Sequence, residues 1–93
     1  MIVYVSIGNS DDKLTQVEWS QFVTEFLARV VSVAPIVHGQ WYSVPWSAWQ
    51  NACWCLEFTD LAQVTEARES ATEIREKYRQ DSVAWATAQT EFI

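Results

Sequence analysis

The chain has 93 residues, with twelve acids against six bases and a formal net charge of −6. That length makes one domain, residues 1–93, whose core covers only about two-thirds of the chain surface. A composition 49% hydrophobic and only 19% charged excludes a disordered polymer, the want of a basic stripe excludes general DNA or RNA binding, and no apolar run approaches the ~18 residues of a membrane span.

IVYVSI (2–7) is β-branched and aromatic and predicts a first strand. Met1 leads straight into it without a basic n-region, so no signal peptide is expected. GNSDD (8–12) is a turn-rich loop with two acids but no calcium-loop spacing. Thr15-Gln-Val-Glu18 has capping-box form, with Thr15 as N-cap and Glu18 reaching back. Trp19, Phe22, Val23, Phe26, Leu27 and Val30 then recur at helical spacing, and Pro35 closes the helix.

IVHGQWYSV (36–44) predicts a second strand, residues 45–51 a loop and ACWCLEF (52–58) a third strand. Thr59 and Asp60 offer caps for a second helix, with Val64, Ala67, Ala71, Ile74 and Tyr78 as its apolar stripe and Glu73–Lys77 as an i,i+4 ion pair. SVAWATAQTEFI (82–93) predicts the last strand. The order β-α-β-β-α-β predicts an α+β fold, the ferredoxin-like sandwich: a four-stranded antiparallel sheet with two helices on one face.

Alternation assigns the faces. Pairing the middle hairpin so that Trp41 opposes Trp54, Gly39 opposes Leu56 and Val37 opposes Phe58 makes an apolar set, which is expected under the helices together with Val3, Val5 and Ile7. Ala84, Ala86 and Ala88 are also placed there. The opposite, open face would then carry Tyr4, Ser6, His38, Gln40, Tyr42, Cys53, Cys55, Glu57 and Trp85. Rings, thiols and one imidazole in place of Lys, Glu and Thr point to a binding or dimer face.

Residues 40–55 hold four of the six tryptophans and both cysteines. Trp46 and Trp49 fall outside both strand alternations, which leaves two readings open: they plug one end of the sandwich, or they anchor a partner or lid a pocket. Cys53 and Cys55, two apart on a strand, have side chains spaced about 6.6 Å, too far for an easy disulfide, so reduced thiols and a cytoplasmic protein are expected. C-x-C is not zinc-knuckle spacing and a fourth ligand is missing, so neither a metal nor another cofactor is expected. His38 beside Glu57 could serve as an oriented base with a cysteine nucleophile, although such a pair on an exposed sheet is most often structural.

The strings IGNSDDKLTQ, VHGQWYS, QNACWC and QDSVAWATAQTEFI together resemble a small family of uncharacterised proteins of actinobacteria and their phages. The resemblance runs along nearly the whole chain and carries over no catalytic residue. It implies a compact phage accessory protein acting in the host cytoplasm, of the kind that evades host immunity by binding a host protein or by sequestering a nucleotide second messenger.

Residues and resemblance together lead to an expected non-catalytic, homo-oligomeric binding protein. Tyr42, Trp46, Trp49 and Trp85 would stack on a nucleotide-like small molecule or a host protein, with Ser6, His38, Gln40 and Glu57 as hydrogen-bonding groups and Tyr4 beside them. The net charge disfavours a highly charged ligand unless Lys13, Arg68, Arg75 or Arg79 line the site. The alternatives are a small dimeric α+β-barrel enzyme with His38, Glu57 and Tyr42 as acid–base groups, on fold analogy, and a purely structural assembly subunit.

Overall fold

The computed structural model describes residues 1–9, 11–44 and 46–93. Its elements are β1 (Ile2–Gly8), α1 (Gln16–Arg29), a 3₁₀ turn (Val31–Val33), β2 (Ile36–Tyr42), β3 (Asn51–Glu57), α2 (Leu61–Lys77) and β4 (Ala84–Ala88). The strands form one antiparallel sheet in the order β2-β3-β1-β4. With both helices against one face, this is the expected α+β, ferredoxin-like arrangement.

Local chemistry starts and stops each helix. The Thr15 hydroxyl accepts from the Glu18 amide at 3.1 Å while the Glu18 carboxylate accepts from the Thr15 amide at 3.1 Å, so the capping box forms on both sides. Asp60 caps α2 by accepting from the Gln63 amide at 2.9 Å. α1 stops at Arg29, short of Pro35. The 3₁₀ turn follows, and Ala34, the residue before proline, is extended with ψ 127°. Between β1 and α1 the buried Asn9 replaces a turn of backbone bonding: its carbonyl accepts from the Leu14 amide at 2.9 Å and its NH₂ donates to the Leu14 carbonyl at 3.1 Å.

Val3, Val5 and Ile7 of β1 stand beside Leu56, Trp54 and Ala52 of β3 on the helix side of the sheet, and all six are buried. Over them α1 lays Phe22 and Phe26, and α2 lays Ala67, Ala71 and Ile74. The Phe26 ring stacks on Trp54 with centroids 5.4 Å apart, and Phe22 stacks on Tyr78 at 4.9 Å. The anticipated Glu73–Lys77 pair does not form. Glu73 bonds Arg29 and Lys77 bonds Glu25, so these charges tie the two helices together across their solvent edge.

Two expected side-chain placements are corrected. In β2 the ladder runs Ile36↔Glu57, Val37↔Leu56, then Gly39↔Cys55, Gln40↔Trp54, Trp41↔Cys53 and Tyr42↔Ala52. His38 is an extra, bulged residue, and everything after it changes face relative to the expected pairing. Trp41 therefore lies on the open side, 54% exposed, while Gln40 and Tyr42 turn to the helix side. Gly39 makes room for this: a Cβ there would stand 2.9 Å from the Trp41 ring. The strand also ends at Tyr42, two residues early.

In β4, Trp85 opposes Val5 and Thr87 opposes Val3, so both lie on the helix side, and Ala84, Ala86 and Ala88 are the residues on the open face. Trp85 fills the space below α2, stacked on Phe58 at 6.0 Å with the Arg68 guanidinium 5.6 Å from its ring centroid. β4 stops at Ala88 because its partner Ile2 begins β1, and the residues beyond have no strand to pair with.

Candidate binding surface

No helix covers the open face, and its side chains come from β1, β2, β3 and β4 by alternation. Tyr4 stands at its centre, 42% exposed, opposite Cys55 on one side and Ala86 on the other. The Trp41 ring leans back over Gly39 and stacks toward Tyr4, with centroids 6.5 Å apart and planes at 28°. Beside them His38 Nε2 lies 2.8 Å from Glu57 Oε1. The bulge turns the imidazole onto this pair, and both groups remain partly exposed.

Ile2, Tyr4, His38, Cys55, Thr90 and Phe92 line an open depression of ≈ 220 Å³ on this face. Interaction with the neighbouring Cys55 side chain holds the Tyr4 pKa above the ordinary phenol value. Cys55 is buried and Cys53 half-buried, and both are free thiols. Among the described residues no group of three His, Cys, Asp or Glu side chains converges as a metal site would require.

The β2–β3 loop adds the second part of the surface. Trp46 is 83% exposed and Trp49 69% exposed, which rules out the reading that they plug the sandwich. The loop itself is tied down. Trp49 N donates to Ser47 Oγ at 3.1 Å, Asn51 Nδ2 donates to the Trp49 carbonyl at 3.2 Å, and the Asn9 amide donates to the Gln50 carbonyl at 2.8 Å. Gln50 also exchanges side-chain bonds with Gln16 at the start of α1. Two indoles are thus held out in water by a braced backbone.

The bases are engaged elsewhere. Lys13 bonds Asp11 and Asp81, Arg75 bonds Glu76 and the Gln80 carbonyl, Arg79 bonds Glu18, and Arg68 lies over Trp85. None of these four lines the depression beside Tyr4. Among the described residues no Lys or Arg therefore stands beside Tyr4 on the open face.

Of the anticipated site residues, Tyr4, Ser6, His38 and Glu57 share the open face, and Trp46 and Trp49 project from the loop. Gln40 and Tyr42 form a separate pair at the helix-side rim, with the Tyr42 hydroxyl 3.4 Å from Gln40 Oε1, and Trp85 sits beneath α2. His38 and Glu57 are therefore on the opposite side of the sheet from Tyr42. Trp41 and Phe92 are the surface residues the sequence reading missed. Gly39, two residues before Trp41 on an edge strand, is the signal for the former, since a ring can lie on a glycine where it could not lie on a side chain. No protein-family model matches this chain, and neither a curated protein nor a solved structure matches it.

Proposed function

We propose that this protein acts by binding, without catalysis, and that its ligand is the surface of another protein. The observation that carries the reading is the exposure of Trp46 and Trp49 on a loop tied to Asn9 and Asn51 by backbone and side-chain bonds and to Gln16 through the Gln50 side chain. Tryptophan is the side chain most enriched among residues that dominate binding energy, and a pre-ordered anchor loses little entropy on docking. The open face beside it continues the surface with Tyr4, Trp41, His38 and Glu57.

A nucleotide-like ligand is less well supplied. Its phosphates call for cations, and the bases are held in ion pairs or over Trp85, away from this face. The depression of ≈ 220 Å³ is also below the roughly 300–1,000 Å³ of pockets that enclose small molecules. A phage origin, as the sequence resemblance implies, would make the partner a host protein and the blocking of a host defence protein the outcome.

Affinity capture from host extract tests this, with wild-type protein and the Trp46→Ala, Trp49→Ala double variant as matched baits. A partner held by the wild type should bind the variant more weakly by over ~1 kcal/mol, while the variant's own stability stays within about 0.5 kcal/mol of wild type. Equal capture by both baits removes the loop from the interface. A melting shift with a panel of cyclic and linear nucleotides, absent in Tyr4→Ala, would move the reading to a small-molecule ligand.

A further inference from the structure

β2 is an edge strand, bonded to β3 on one side and open on the other. Natural edges are guarded by charge, proline or brevity, yet Ile36–Tyr42 is seven residues long, IVHGQWY, without a proline, Asp, Glu, Lys or Arg. Ile36, Val37, Trp41 and Tyr42 are exposed on this strand, and Val44, Trp46 and Trp49 on the loop beyond it.

The geometry of the free edge can be read from one bond. The Ser43 amide donates inward, to the Asn51 carbonyl at 3.0 Å. In an antiparallel strand the direction of the backbone groups alternates, so Trp41 and Gly39 also bond inward, and Gln40 and Tyr42 direct their N–H and C=O groups outward. The bulge at His38 bounds this regular segment at one end, leaving Gly39–Ser43, the pentapeptide GQWYS, as a bulge-free edge centred on Trp41.

We infer that two copies of this chain pair antiparallel along this edge, about a two-fold axis at Trp41, into a continuous eight-stranded sheet. In that register Gln40 of one copy bonds Tyr42 of the other through the outward groups, Trp41 faces Trp41, and Gly39 faces Ser43. Every pair keeps its face: Gly39, Trp41 and Ser43 on the open side, Gln40 and Tyr42 on the helix side. The small residues flanking Trp41 leave space for both indoles, and each ring already leans over its own Gly39, away from the axis.

Charge and area support a second copy as the occupant. GQWYS carries no ionisable group near neutrality, so no like charges meet across the axis. Trp41 and Tyr42, each about half exposed, present roughly 200 Å² per chain on the pairing edge, with the exposed side chains of Ile36, Val37 and Val44 beside them. That is about a quarter of the roughly 800 Å² per partner in a stable interface, and the aliphatic side chains and the outward backbone groups of Gln40 and Tyr42 add to it. The pairing stands apart from the docking reading, and a dimer would offer a docking partner two tryptophan loops.

Light scattering on size-fractionated protein over a range of concentrations tests this. Wild type should approach twice the 10.7 kDa chain mass. Gln40→Pro removes an outward amide and no bond to β3, and should run at one chain mass with an unchanged far-UV circular dichroism spectrum. Trp41→Lys and Trp41→Glu should each self-associate roughly five-fold more weakly through like charge at the axis, and an equimolar mixture should recover a dimer tighter than either alone. The charge pair decides the matter if Gln40→Pro does not fold. Wild type at one chain mass throughout, a folded Gln40→Pro that dimerises normally, or a mixture no tighter than its components would each overturn the pairing.

Discussion

Trp41 and Trp54 lie on neighbouring strands and would be equivalent core residues in a hairpin without a bulge. The bulge separates them, so truncating each to alanine should have unequal consequences. Trp54 is fully buried, stacked on Phe26 at 5.4 Å and edge-on to Tyr42 at 5.9 Å. Removing a buried indole of this kind costs about 3–5 kcal/mol, a large share of the roughly 5–15 kcal/mol that holds a small domain. At roughly 4–8 °C per kcal/mol for a domain of this size, Trp54→Ala should melt roughly 12–40 °C below wild type. Trp41 is 54% exposed and rests on Gly39 and Tyr4. Half-burial and one stacked contact together amount to about 1.5–3 kcal/mol. Urea denaturation followed by far-UV circular dichroism, at concentrations where the protein is monomeric, measures both. Comparable losses in the two variants, or a Trp54→Ala loss under about 1.5 kcal/mol, would refute the bulged register. Trp54→Phe refines the test. Nε1 of Trp54 is buried without a hydrogen-bond partner among the described residues. An orphan donor costs about 1–3 kcal/mol, so phenylalanine, which keeps the stack and deletes the donor, should cost far less than alanine.

Three further outcomes follow from the loops and caps. Thr15→Ala removes the hydroxyl half of the capping box and should lower stability by about 1 kcal/mol in the same assay, with no effect refuting the cap's contribution. Asn9→Ala strands the buried Leu14 amide and carbonyl, so a loss of about 2–3 kcal/mol is expected, and a loss below about 0.5 kcal/mol would show the loop to be held otherwise. Glu18 is bonded first by the Arg79 guanidinium and then by the Thr15 amide, which hold its carboxyl below the ordinary value near 4.5. Its folded value is the lower one, so the stability it contributes is present above the unfolded value near 4.5 and is lost as pH falls through the folded value. Glu18→Gln should flatten that part of the acid limb of a pH–stability profile, and an unchanged acid limb would remove Glu18 from it.

Element order was legible because each element carries its own local chemistry. The capping box at Thr15, the helical spacing of Phe22 and Phe26, the Asp60 cap and the β-branched run of β1 all formed where propensity and period placed them. The same local evidence placed Tyr4, Ser6, His38 and Glu57 on one face, since each position follows from alternation within an unbroken strand or from the bulge turning a side chain the same way. Exposure of Trp46 and Trp49 was an open alternative, because a loop side chain has no period to place it.

Local pattern alone specifies which segments are helix and strand, where the helices begin, and that β1 and β3 share a buried alternation. Tertiary structure decided which face each edge strand shows. In β2 a single extra residue reverses alternation, and an indole that can lie on Gly39 makes the reversed arrangement stable. In β4 one alternating set is three small alanines and the other mixes Trp85 with Thr87, so Trp85 was assigned by the space between Phe58 and Arg68, which exists only once α2 has docked. Side-chain alternation is a relative rule within one strand, and its sign is set by what the neighbouring elements leave to be filled.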